Sequence, residues 1–352
     1  MLFENGIYSA LLEIKAFGFR RSCTITDWSE GVAMISTTVK KSLNKLKFYR
    51  EIELPDFASK GSIPIRHLNI GFDGKEIDVE FYMNNQFATL FFATLSVFLT
   101  YGEDLVIETA RHHREFIQDP VLKQRVTSLI GQEAIHSKLH NEYNDALKDV
   151  EYPVDLYRFL GENFFKYVFL KFPQPLKLSM MAGIEHFTAV LAEYMMKHEK
   201  NFYYSDDAKS RALWMWHMLE ESEHKDIAYD VYQLLNGSYP LRASGFFLAF
   251  FTILGLIPAT TLFIPVLRKP QEMLTRKFWK DARRGVGLIF GPKDGVFGST
   301  IGQIFDYLRP DFHPNDHDTT EYLEYYKDKL LKEGGAIAPY FVKEFTPPVR
   351  LS

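Results

Sequence analysis

Apolar residues recur at helical spacing along most of the chain. Val32, Ile35, Val39, Leu43 and Leu46 form one stripe behind an Asp27–Glu30 capping pair, with Lys40, Lys41, Lys45 and Lys47 on another face. This predicts a helix that packs on a core or lies on an anionic membrane. Residues 51–79 are rich in Pro and Gly and read as a connector with a turn at Phe72-Asp73-Gly74. Helical periodicity resumes over 84–116, with Gly102 as a kink or break, and over 121–147 after Asp119-Pro120. The stretch 153–172 predicts a short helix with the aromatic run 164–169 buried. Further helices follow after Pro173 and Pro175, and across 203–236. A charge-free segment, 243–267, precedes a last amphipathic helix and a loose terminus. The pattern is all-α, with an N-terminal extension at 1–79, a helical bundle at 80–238 and a C-terminal helical region at 239–352.

Several polar residues interrupt these apolar stripes. In the 203–236 helix, His217, Glu221 and His224 lie on the side that carries Leu213, Ala228, Val231 and Leu235. Glu103 shares a face with Leu99, Val106, Ile107 and Ala110, whereas Glu108 belongs with Asp104, Arg111 and Glu115 on a solvated face. Glu133 and His136 follow Leu122, Val126 and Leu129, and Glu185 sits among Leu178, Met181, Ala182, Ala189 and Ala192. Buried charges need a common partner. In chain order the helices supply Glu, Glu-x-x-His, Glu and Glu-x-x-His, the donor set by which a four-helix bundle holds two metal ions. Two divalent cations would offset four carboxylates, and imidazoles would complete each coordination shell. The expected ligands are Glu103, Glu133, His136, Glu185, Glu221 and His224, with His217 as a seventh. His140 and Glu193 are expected to orient ligands from just outside the centre. His67, His112, His113 and His198 read as surface residues, and His313 and His317 lie in a Pro-rich loop that could cap the site.

Composition narrows the chemistry. Cys23 is the only cysteine, which excludes an internal disulfide, Cys-rich zinc sites and iron–sulfur clusters. A net charge of −4 gives no global drive toward nucleic acid. The N-terminus shows no signal-peptide pattern, so a cytoplasmic location is expected. Segment 243–267 is long enough to cross a bilayer, and the basic stretch 268–284 after it fits attachment to the inner face of the membrane. The alternative is a pair of helices buried against the bundle. No G-x-S-x-G motif is present, and the glycines of 285–291 lack dinucleotide spacing.

The phrases LSVFLTYGED (95–104), GQEAIHSKLHNEYN (131–144), GIEHFTAVLAEY (183–194), WHMLEESEHKDIAYDVY (216–232) and LRPDFHP (308–314) resemble the ferritin-like di-metal proteins. They resemble more closely the bacterial family described as predicted metal-dependent hydrolases. The set of four Glu and three His, with His217 four residues ahead of Glu221, is also similar to that of di-iron arylamine N-oxygenases. The resemblance implies a ferritin-like four-helix bundle with two metal ions, iron or manganese. The function expected is a di-iron oxidase or oxygenase using dioxygen and a separate reductant on a small apolar or aromatic substrate. A hydrolase with a metal-activated bridging water is the alternative, and a non-catalytic, membrane-associated iron-binding protein the third. A homodimer is compatible with each.

Overall fold

A computed structural model describes residues 56–57, 60–202, 206–268 and 270–349. The basic helix expected after Asp27, and Cys23, lie outside the described residues. Those described fall within the compact unit Glu53–Ser352.

Helix α1, Gln86–Arg114, starts where the Asn85 side chain accepts from the Ala88 N–H, and runs unbroken through Gly102. A glycine inside a helix costs about 1 kcal/mol relative to alanine. Burial of Leu105 and Val106 beside it outweighs that cost. Asp119 caps α2, Pro120–Leu147, with Pro120 in the first turn, where its missing N–H has no helical partner to lose. α3 spans Val154–Tyr167 and α4 Gln174–Lys197. The expected 203–236 helix is in fact two helices, α5 (Ala208–His224) and α6 (Ile227–Leu235). At the break the Asp226 carboxylate accepts from Arg125 Nη2 at 2.8 Å and from Lys60.

Helices α1, α2, α5 and α4 pack as a closed ring, each against two neighbours. Their facing stripes contribute to the core, with Val106, Val126, Leu129, Met181 and Ala182 in one cluster that Ala228 of α6 joins. α7, Tyr239–Phe251, lies close along α4. Gly245 permits this approach, because a Cβ there would stand 2.1 Å from Ser179 Oγ and 2.6 Å from Met180 N. A π-turn, Thr252–Leu256, leads into α8, Ile257–Arg268. Pro258 would clash with the carbonyl four residues back in a regular helix. That residue, Leu254, lies in the π-turn, where Ile257 N–H reaches Thr252 O instead. α9 (Arg276–Phe290), α10 (Ile301–Asp306) and α11 (Thr320–Leu331) complete the helices used below.

The terminus is not loose. Strand β2, Phe341–Phe345, pairs antiparallel with β1, Ile65–Leu68, in the register Ile65↔Phe345 and Arg66↔Glu344. The described chain is therefore mostly helical with one two-stranded sheet. The aromatic run 164–169 departs in part from expectation: Phe169 is buried, but Phe164 is 37% and Tyr167 61% exposed. Among the described residues two stretches, Gln86–Arg114 and Tyr239–Ile264, are long and apolar enough to cross a membrane. In α1, 67% of the most apolar window is buried, as in a core helix. In the second stretch only 22% is.

Candidate metal centre

The four-helix ring turns its polar interruptions inward at one level. Glu103 comes from α1, Glu133 and His136 from α2, Glu185 from α4, and His217, Glu221 and His224 from the last two turns of α5. All seven are buried, none more than 4% exposed. On one side, His224 Nε2 lies 3.3 Å from Glu133 Oε1, 3.3 Å from Glu185 Oε2 and 3.2 Å from Glu221 Oε2. On the other, His136 Nδ1 lies 3.7 Å from Glu133 Oε2 and 3.6 Å from Glu221 Oε1. Glu103 closes the His136 side, with Oε1 3.9 Å from His217 Nε2. Glu133 and Glu221 thus each turn one oxygen toward His136 and the other toward His224.

The donor atoms lack ordinary partners. Both Glu103 oxygens, Glu133 Oε1, His136 Nδ1, Glu185 Oε2 and His224 Nε2 are buried without a hydrogen bond. An isolated buried polar atom costs about 1–3 kcal/mol, and several converging on one place have the chemistry of a cation-binding site. Burial, and next the Glu133 carboxylate, push Glu103 well above the usual carboxylate range. Burial also pushes Glu185 up, against the pull of His224. The residues fit a pair of metal ions, and the buried His/Glu groups could hold them.

Hydrogen bonds around the cluster decide which imidazole nitrogen faces inward. His136 Nε2 lies 3.0 Å from Glu220 Oε2, so it donates there and leaves Nδ1 free. His224 Nδ1 donates to Gln132 Oε1 at 3.0 Å, leaving Nε2 free. For His217 the relay is longer. Asn144 Nδ2 donates to the Ser96 carbonyl, so Asn144 Oδ1 accepts from Ser96 Oγ at 2.7 Å. Ser96 Oγ must then accept from His140 Nδ1 at 2.8 Å, and His140 Nε2 from His217 Nδ1 at 2.6 Å. His217 Nε2 is left as a lone pair 2.9 Å from Glu221 Oε1, two acceptors that a shared cation reconciles. Burial, reinforced by His136, lowers His217 to about 4, in keeping with a neutral ring.

Two of these partners escape a reading of apolar stripes. Glu220 precedes Glu221 and Gln132 precedes Glu133, so each points about 100° away from its helix's inner face. Glu220 is met there by β1, and Gln132 reaches Glu223 of α5. Arg66 of β1 donates to Glu220 at 3.0 Å and to both Glu223 oxygens at 2.7 and 2.8 Å, and Gln132 Nε2 donates to Glu223 at 3.1 Å. The only hint in the sequence is the density of carboxylates in Glu220-Glu221-Ser222-Glu223.

Other expected positions lie elsewhere. Glu193 does not approach the cluster: eight residues past Glu185, about 12 Å along the helix, it pairs with Lys197 and accepts from Gln303 at 3.1 Å. His313 bonds Asp230 and His317 bonds Asp306, so neither caps the centre. His113 is buried, its ring nitrogen 2.9 Å from the Thr109 carbonyl, while His112 is exposed.

A family model described as a predicted metal-dependent hydrolase matches residues 64–318. The chain belongs to that family. No curated protein and no solved structure matches it. In this member of the predicted metal-dependent hydrolases, the matched span contains Arg66, all seven inward-facing donors and the Ser96–His140 relay. A metal dependence accords with the donor atoms that the bundle leaves unpartnered.

Proposed function

We propose that this chain is a di-metal hydrolase built on a ferritin-like four-helix bundle. The ligands assigned are Glu103, Glu133, His136, Glu185, Glu221 and His224, with His217 as the seventh. The observation that carries the assignment is the convergence of unpartnered donor atoms from all four helices. Two divalent ions held there would acidify a bridging water and polarise a scissile group. Glu133 and Glu221 span both positions. Glu220, Gln132 and His140 hold the imidazoles in the tautomers that direct a lone pair inward.

An apolar cleft lies beside the helices that carry Glu103 and Glu185. Leu99 and Gly102 line it on the Glu103 side, Ile184 and Thr188 on the Glu185 side, and no charged side chain contributes. It suits the hydrocarbon or aromatic part of a substrate, with the reactive group toward the carboxylates. The hydrolytic reading accords with the family description. One observation favours a second reading, an oxidase or oxygenase using dioxygen: four carboxylates in a helical bundle match the donor set of oxygen-activating di-iron proteins.

The two readings separate on oxygen. Zinc-loaded protein under argon should hydrolyse long-chain or aromatic esters or phosphoesters, with turnover lost in Glu133→Ala. Absence of anaerobic turnover, together with dioxygen uptake by the reduced iron-loaded protein, would reverse the choice.

A further inference from the structure

The outer surface of this protein carries large apolar side chains where a soluble bundle would carry charges. Phe159 is 63% exposed, Phe251 65%, Phe263 61%, Trp279 59% and Leu274 89%. Helix α3 shows how ordered the exposure is. Val154, Tyr157 and Gly161 face the core, Asp155, Arg158, Glu162 and Lys166 form a charged face, and Leu156, Phe159, Leu160, Phe164 and Tyr167 form a third, apolar face open to solvent. An amphipathic helix needs only the first two faces to sit on a globular core.

The elements bearing this surface adjoin one another. Tyr157 Oη donates to the Thr260 carbonyl at 2.6 Å, tying α3 to α8. Gly161 and Phe164 face Ile253 and Leu256 of the π-turn across the apolar cleft, so the cleft lies among these elements. Ile264 of α8 and Phe278 of α9 line a common hollow. At about 150–250 Å2 per aromatic side chain, Phe159, Phe164, Tyr167, Phe251 and Phe263 together expose roughly 400–700 Å2 of aromatic surface on these elements.

Charge indicates the occupant. On α9, Arg276, Lys277, Lys280 and Arg283 are exposed on one stripe beside Trp279, in a chain whose net charge is −4. Asp281 turns inward instead, accepting from Asn85 Nδ2 at 2.8 Å. An apolar surface next to clustered cations and an exposed tryptophan is the chemistry of a bilayer interface with anionic headgroups. α7 is locked along α4 through Gly245, which fits a face resting in the interface and not an independent span. We propose that α3, α7–α8 and α9 form a docking face for an anionic phospholipid bilayer, with the apolar side chains at the acyl boundary and the α9 stripe at the phosphates. Docking there would bring the cleft beside a source of apolar substrate.

Flotation of the full chain tests this, with vesicles of phosphatidylglycerol mixed into phosphatidylcholine and with phosphatidylcholine alone. The protein should float with the anionic vesicles and at least tenfold less with neutral ones. Lys280→Glu with Arg283→Glu, and separately Phe251→Ser with Phe263→Ser, should each weaken anionic binding at least tenfold, with circular dichroism and metal content unchanged. Metal content is read independently of binding, so failure of the docking face and failure of the metal assignment are distinguishable. Absence of flotation, or undiminished binding in both variants, would overturn the proposal. So would a wild-type dimer that the serine variant splits while vesicle binding persists, since the face would then belong to a second copy.

Discussion

Glu221→Ala is expected to empty both metal positions, whereas Glu185→Ala empties one. Glu221, like Glu133, turns one oxygen to each side, 3.6 Å from His136 Nδ1 and 3.2 Å from His224 Nε2, and it also faces His217 Nε2 at 2.9 Å. Its removal takes a donor from each position and leaves three imidazoles without the carboxylate that neutralises any cation beside them. Glu185 meets only the His224 side. Elemental analysis should therefore fall from about two ions per chain to under about half an ion in Glu221→Ala, and to about one in Glu185→Ala. His217→Phe belongs between wild type and these: it removes one lone pair and keeps the volume, and affinity on the His136 side should drop about 10–100-fold, the range seen when a site's supporting groups are lost. Full metal content in Glu221→Ala would remove the assignment.

Stripped of metal, the Glu103→Gln protein should be more stable than the metal-free wild type, and with metal present the order should reverse. Without cations, Glu103 is a buried carboxylate with neither oxygen bonded and with Glu133 and Glu221 nearby. Its charge is destabilising there, and an amide of the same shape removes the repulsion and can donate to those carboxylates. Relief of one unpaired buried charge contributes about 1–3 kcal/mol, or a Tm rise of a few degrees at about 2–4 °C per kcal/mol for a domain of this size. With metal bound, the same change deletes a charged ligand, and the stabilisation conferred by binding falls with affinity. Thermal melts with and without chelator would show the crossing. A Glu103→Gln protein less stable than wild type in both conditions would mean that Glu103 is held by structure and not by a cation.

The positions of the donors were legible in the chain because helical periodicity is local. A Glu or His at the phase of Leu99, Val126, Met181 or Leu213 must point where those residues point, and the core gathers such faces together. The relation to predicted metal-dependent hydrolases was legible in continuous phrases, four of which, 95–104, 131–144, 183–194 and 216–232, carry the donors. The break after His224 was not legible, because Asp226 leaves the helix for Arg125, a residue 101 positions away. Nor were the groups that orient the imidazoles. Glu220 and Gln132 lie off the stripes, and Arg66 reaches Glu220 from a strand that exists only because residues 341–345 return to pair with it. The segment 243–267 is the sharpest case. Its composition is the same whether it lies in a core or against lipid, since apolar side chains are stabilised by leaving water for either. Which of its faces α4 and α1 cover, and which they leave bare, was decided only by packing between residues far apart in the chain.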